Sequence, residues 1–118
     1  MRATKYVLVI LAALIVTSAY GYGKTKVDGY IREAEYYTKQ AEAYDRDAVY
    51  YTRQAQKHMK DAENYSRREK YDKVRSLQRR AKDAIDKAES YKRRADAARD
   101  KALAYMRKAE KALQSAKK

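Results

Sequence analysis

The chain has 118 residues with no proline, no cysteine, three glycines and 38% charged side chains, a composition that suits long uninterrupted helices and at most one domain. Lacking cysteine, it has no disulfide framework, no thiolate nucleophile and no cysteine metal site. Thirteen tyrosines stand where Phe and Trp are absent, which argues against a compact globule with a thick core, and the formal charge is +13.

Residues 1–19 read as a signal peptide. Arg2 and Lys5 make a positive start, Val7 to Val16 is unbroken apolar sequence, and Thr17-Ser18-Ala19 offers small residues for cleavage. Cleavage is expected after Ala19, with Gly21 as second choice. The alternative is an uncleaved N-terminal anchor over residues 6–20, which is shorter than the roughly 20 residues that span a bilayer. Export places the mature chain in the periplasm or outside the cell; the anchor would hold it at the inner membrane. No cysteine follows the apolar run, so a lipoprotein anchor is excluded.

Residues 20–24 form a short linker, and Thr25-Lys26-Val27-Asp28 has capping-box spacing at the start of a helix over 25–65. Gly29 falls in its first turns. Along this helix Ala34, Ala41, Ala48, Ala55 and Ala62 recur every seven residues, each followed three residues later by Tyr37, Tyr44, Tyr51, His58 and Tyr65. Val27 and Tyr30 extend the pattern backwards. Small or apolar residues at a and d of a heptad mark helices packed along a seam.

A second series, Ala81, Ala88, Ala95, Ala102, Ala109 and Ala116, follows in a helix over 74–118. It shares its face with Val74, Leu77, Ile85, Tyr91, Tyr105, Met106 and Leu113. Ala62 and Ala81 are 19 residues apart, two short of three heptads. On one continuous helix that would swing the seam by roughly 200°, so a reversal over 66–73 is expected. Ser66 and Glu69 there again have capping-box spacing, although no glycine or proline marks the turn.

The flanking charges agree with an antiparallel hairpin. Glu33, Gln40, Asp47, Gln54 and Asp61 occupy g in the first helix, and Arg80, Lys87, Arg94, Lys101 and Lys108 occupy g in the second. Antiparallel pairing sets g against g. Two registers satisfy the pattern, with the numbers of facing residues summing to 139 or to 132. In the first, Tyr51 meets Ala88, Tyr44 meets Ala95, Tyr37 meets Ala102, Ala34 meets Tyr105 and Ala48 meets Tyr91. The fold class is therefore all-α, a long antiparallel two-helix coiled-coil hairpin with Ala/Tyr heptads. Its thin core, and a second apolar strip of Tyr36, Val49 and Tyr50 beside the seam, lead us to expect self-association into a bundle.

Charge is unevenly shared. From Lys24 to Ser66 eight basic residues balance eight acidic ones, whereas from Arg67 to Lys118 nineteen basic residues face eight acidic ones. Basic residues also line f, as Arg32, Lys39, Arg46, Arg53, Lys60 and Arg67 in the first helix and Arg79, Arg93 and Arg107 in the second. The expected polyanion-binding set is Arg79, Arg80, Lys87, Arg93, Arg94, Lys101, Arg107 and Lys108. Export directs it to anionic envelope polymers or lipid headgroups and away from nucleic acid. The opposing reading is that these charges serve solubility alone.

No nucleophile elbow, metal-spaced cluster or glycine-rich phosphate loop is present, so no enzyme activity, cofactor, metal or small-molecule substrate is expected. His58, the only histidine, reads as a packed seam residue and not as a haem or metal ligand. The alanine heptads resemble the stem of the murein lipoprotein family, and Lys118 matches its terminal lysine, which implies attachment to peptidoglycan. The lipobox cysteine of that family is missing here, and tyrosines interrupt the zipper. A basic exported hairpin is also similar in kind to periplasmic holdase chaperones. The expected function is that of an exported structural or interaction protein, with a holdase chaperone or a membrane-anchored coiled-coil subunit as alternatives.

Overall fold

A computed structural model describes residues 24–116 of the protein. The signal peptide or anchor expected over 1–19 or 6–20, nearly all of the linker and the Lys117-Lys118 tail lie outside the described residues. Two helices make the fold, α1 over Lys24–Arg67 and α2 over Tyr71–Ala116, and no strand occurs among the described residues. The protein is an all-α helical hairpin.

Both helices follow from local chemistry. Neither contains proline, and Ala, Lys, Arg, Glu and Gln, the strong helix formers, dominate both. α1 is described from Lys24, one residue before the expected start, and the Thr25 side chain on which the expected capping box rests lies outside those described. Gly29 lies inside α1, where an added Cβ would meet nothing within 4 Å.

The reversal is tighter than the residue pattern suggested and is built differently. α1 continues to Arg67 and α2 resumes at Tyr71. Ser66 is helical and caps nothing with Glu69. Instead Glu69 adopts a left-handed backbone with φ of 59°. Its N–H donates to the Ser66 carbonyl at 3.0 Å, and the Lys70 N–H donates to the Tyr65 carbonyl at 3.0 Å. This pair of bonds is a Schellman cap, which satisfies the last carbonyls of a helix and usually has glycine where Glu69 stands. The Val74 N–H then donates to the Lys70 carbonyl at 3.2 Å as α2 begins. Asp72 supplies the negative charge that the start of a helix favours and pairs with Arg75.

The hairpin comprises two compact units. One joins the part of α1 up to Ala41 to the part of α2 from Asp96. Its core contains larger side chains: Val27, Ile31, Ala34, Met106, Ala109 and Leu113 are buried together, with Tyr30, Leu103, Tyr105 and Ala112 packed against them. The other unit is Glu42–Ala95 and includes the reversal. Its buried residues are all alanine: Ala48, Ala55, Ala62, Ala81, Ala84, Ala88 and Ala95. Val74 and Leu77 are half-buried there, and Ile85 is exposed at 44%. Ile85 was expected to help hold the second helix. It fails to because it borders an open groove of about 770 Å³ with Thr52, Met59 and Val74 among its walls.

Within each unit the ring contacts select one of the two registers. Tyr91 lies 6.1 Å from Tyr44 and 5.6 Å from Tyr51, which brackets Ala48. Tyr105 lies 6.4 Å from Tyr30 and 5.8 Å from Tyr37, which brackets Ala34. Ala48 opposite Tyr91 and Ala34 opposite Tyr105 is the register summing to 139. The alternative would place Tyr91 level with Ala41 and Tyr105 level with Val27.

Glycine thus occupies a helix interior at 29, and glutamate occupies a left-handed position at 69. Gly29→Ala and Glu69→Gly are each expected to stabilise the fold by about 1 kcal/mol, raising the melting temperature by roughly 5 °C. Thermal unfolding followed by circular dichroism checks both; a Glu69→Gly variant that melts lower would contradict the strain assigned to the turn.

Candidate polyanion-binding face

The expected seam divides into two classes. All its alanines, from Ala34 to Ala62 and from Ala81 to Ala109, are buried. Its aromatic members, Tyr37, Tyr44, Tyr51, His58, Tyr91 and Tyr105, are half-buried. Methyl-sized side chains let two helices approach closely, and a phenol ring is too large to enter that gap. The rings therefore stack beside the alanine column.

In the unit made by the two ends of the hairpin, Tyr37 stacks on Tyr105 with 9° between the planes. Tyr36 meets the edge of Tyr37 at 5.1 Å. Lys101 Nζ lies 5.2 Å from the centre of the Tyr37 ring, and Lys108 Nζ lies 4.9 Å from that of Tyr105. In the unit Glu42–Ala95 the same parts recur. Tyr51 stacks on Tyr91 at 5°, Tyr50 meets the edge of Tyr51 at 5.1 Å, Lys87 Nζ is 5.3 Å over Tyr51, and Arg94 Cζ is 5.1 Å over Tyr91. Thr38 and Thr52 mark the equivalence as well, each donating its hydroxyl proton to the carbonyl one turn back, of Ala34 and Ala48, at 2.8 Å. The repeat behind this is fourteen residues: Tyr36-Tyr37-Thr38 returns as Tyr50-Tyr51-Thr52, and Tyr91 returns as Tyr105.

The basic g row of α2 therefore does not do what the heptad rule assigns to it. Ion pairs with Glu33, Asp47 and Asp61 were expected. Among the described residues no ion pair joins the two rows; Glu63–Arg67, Asp72–Arg75 and Asp96–Arg99 each lie within one helix. A half-buried ring at d lies within reach of each of Lys87, Arg94, Lys101 and Lys108, and the negative face of such a ring attracts a cation. Tyr65 shows the same preference beside the turn, with Lys73 Nζ at 4.9 Å and Arg68 Cζ at 5.5 Å from its ring centre. Lys73 continues the g row one heptad back from Arg80, a signal the residue pattern already contained.

Lys87, Arg94, Lys101 and Lys108 are all exposed despite their ring contacts. Arg79, Arg93 and Arg107 are exposed at f, and Arg80 is exposed at the g position opposite His58. His58 is half-buried. No group of three or more His, Cys, Asp or Glu side chains that could hold a metal ion occurs among the described residues. No described helix is long and apolar enough to cross a membrane.

A double-mutant cycle isolates the ring contact. Lys87→Gln and Tyr51→Leu are expected to couple by about 0.5 kcal/mol, the size of an exposed cation–ring contact, while Lys87→Gln with Asp47→Asn should show no coupling. No protein-family model matches the chain, and neither does any curated protein or solved structure.

Proposed function

We propose that the chain is an exported, non-enzymatic structural or interaction protein that self-associates and binds anionic envelope polymers or membrane surfaces through its basic faces. The observation that carries this reading is the g row of α2. Four cations, Lys87, Arg94, Lys101 and Lys108, stand exposed, and each rests on a tyrosine ring without any carboxylate partner. A cation in a salt bridge has spent its field on its partner; one on a ring keeps a full charge for an external anion. The charge excess of α2 acts in the same sense, since long-range attraction raises the rate of encounter with polyanions and falls with salt. Self-association is supported by exposed apolar side chains outside the seam, Tyr36, Val49, Tyr50, Met59 and Ile85.

A holdase chaperone is the second reading. The open groove bordered by Met59, Val74 and Ile85 favours it, because such a groove offers an apolar surface to an unfolded client. It requires suppression of client aggregation at stoichiometric ratio.

Reversal of two of the ring-bound charges tests the first reading. Arg94→Glu with Lys101→Glu is expected to lower affinity for an anionic polymer by about tenfold at low ionic strength, the difference narrowing as salt rises. It should also lower the melting temperature, because an acid over a ring face is repelled. Unchanged binding at low salt with unchanged melting would refute the role of this row. Light scattering at two protein concentrations reads the oligomeric state.

A further inference from the structure

The unit Glu42–Ala95 has a groove of about 290 Å³ whose walls include Tyr50, Tyr51, Gln54, His58, Arg80 and Lys87. We propose that this groove is a binding subsite for an acidic sugar, and that its occupant is a linear polysaccharide with one carboxylate on every second ring. The inference rests on the polyanion reading above and narrows it to one site and one class of polymer.

The wall chemistry suits a charged sugar better than the bare charge pattern would. Tyr50 is 56% exposed and packs edge to face with Tyr51, so its ring offers an aromatic platform for the C–H face of a pyranose. The Gln54 amide can donate to and accept from ring hydroxyls. Lys87 is held over the Tyr51 ring, which pre-positions its ammonium and lessens the ordering penalty on binding a carboxylate. Arg80, on the same wall, offers a planar fork that fits a carboxylate. Asp83 also borders the groove and, as an acceptor only, can take a sugar hydroxyl proton while disfavouring a second anion at that point.

Spacing then selects the polymer. Arg80, Lys87 and Arg94 follow one another at seven-residue intervals on α2, about 10 Å apart along the helix axis. That interval corresponds to two linked sugar rings. Duplex nucleic acid carries a charge every ~1.7 Å along its axis, far denser than this row. A lipid surface presents charge in two dimensions and would not need an aromatic wall.

The test uses the full chain and four probes by isothermal calorimetry at low salt. These are hyaluronan oligosaccharides with a carboxylate on alternate rings, oligogalacturonate with one on every ring, oligo(dT), and phosphatidylglycerol vesicles. Hyaluronan is expected to bind most tightly. Tyr50→Ala and Lys87→Gln should each weaken it about fivefold to tenfold, as expected for a lost stacking face or a pre-positioned charge, whereas Lys82→Gln, at an exposed position of the same helix outside the groove and outside the basic g and f rows, should change it less than twofold. Circular dichroism confirms that each variant remains helical, as expected for exposed positions. If Lys82→Gln weakens binding as much as Lys87→Gln, or Tyr50→Ala has no effect, the groove assignment is overturned while general polyanion binding survives. Tighter binding of oligo(dT), oligogalacturonate or vesicles overturns the polymer class. Failure of every probe to bind at low salt overturns both this inference and the reading beneath it.

Discussion

Close approach of two alanine columns is the constraint from which the other features of this hairpin descend. Alanine at a on both helices leaves room for methyl groups only, and those methyl groups are buried almost completely, Ala95, Ala102 and Ala109 to 0% exposure. A tyrosine three residues later cannot join them. Its ring is displaced to the flank, where the nearest large neighbour is a tyrosine displaced from the other helix. Stacking of Tyr51 on Tyr91, and of Tyr37 on Tyr105, follows from the size mismatch within one heptad. Once the rings lie flat on the flank, their faces attract the basic side chains at g. Small core, stacked rings and captured cations are successive consequences of one choice of residue.

Energetically the two units differ. A buried alanine contributes little beyond one methyl group, of order 0.8 kcal/mol, and the unit Glu42–Ala95 buries nothing larger. The unit formed by the helix ends adds Val27, Ile31, Met106 and Leu113, so the larger buried apolar side chains belong to that unit. The reversal is held instead by directional contacts. Tyr65 supplies the carbonyl that accepts from Arg68 and Lys70, and its ring faces the cations of Arg68 and Lys73. One residue thus terminates α1 and gathers the charge of both the turn and the first turn of α2.

Much of this architecture is legible in the residues, and the exceptions have specific causes. The two alanine series and the two-residue deficit between Ala62 and Ala81 are sufficient to call for a reversal, because heptad phase cannot slip without turning the seam away. Register stayed open between two solutions because Tyr30, Tyr37, Tyr44, Tyr51 and Tyr91 face an alanine in both; only ring-to-ring placement, a property of three dimensions, separates them. The turn was hard to delimit because Glu69 takes a backbone conformation that glycine usually takes. The charge rows misled for a different reason. Rules for g positions derive from seams with aliphatic d residues, where nothing intervenes between opposed charges. With tyrosine at d an aromatic face lies within reach of the g cations, and attraction to that face competes with an ion pair that is itself weak on a solvated surface.

The same substitution of ring for carboxylate bears on what the surface can do. Had Arg80, Lys87, Arg94, Lys101 and Lys108 been neutralised across the seam, the hairpin would show alternating charge and little net field along that edge. Resting instead on neutral rings, four of the five lend some stability to the fold and remain cationic toward solvent. Their carboxylate counterparts Glu33 and Asp47 are likewise exposed. Tyr36 and Tyr50, packed edge-on against the stacked pairs, add flat apolar area beside the ring-bound cations of their own units. Under the polyanion reading proposed above, cations left uncompensated beside such apolar area would favour polymers that combine spaced anions with apolar ring faces.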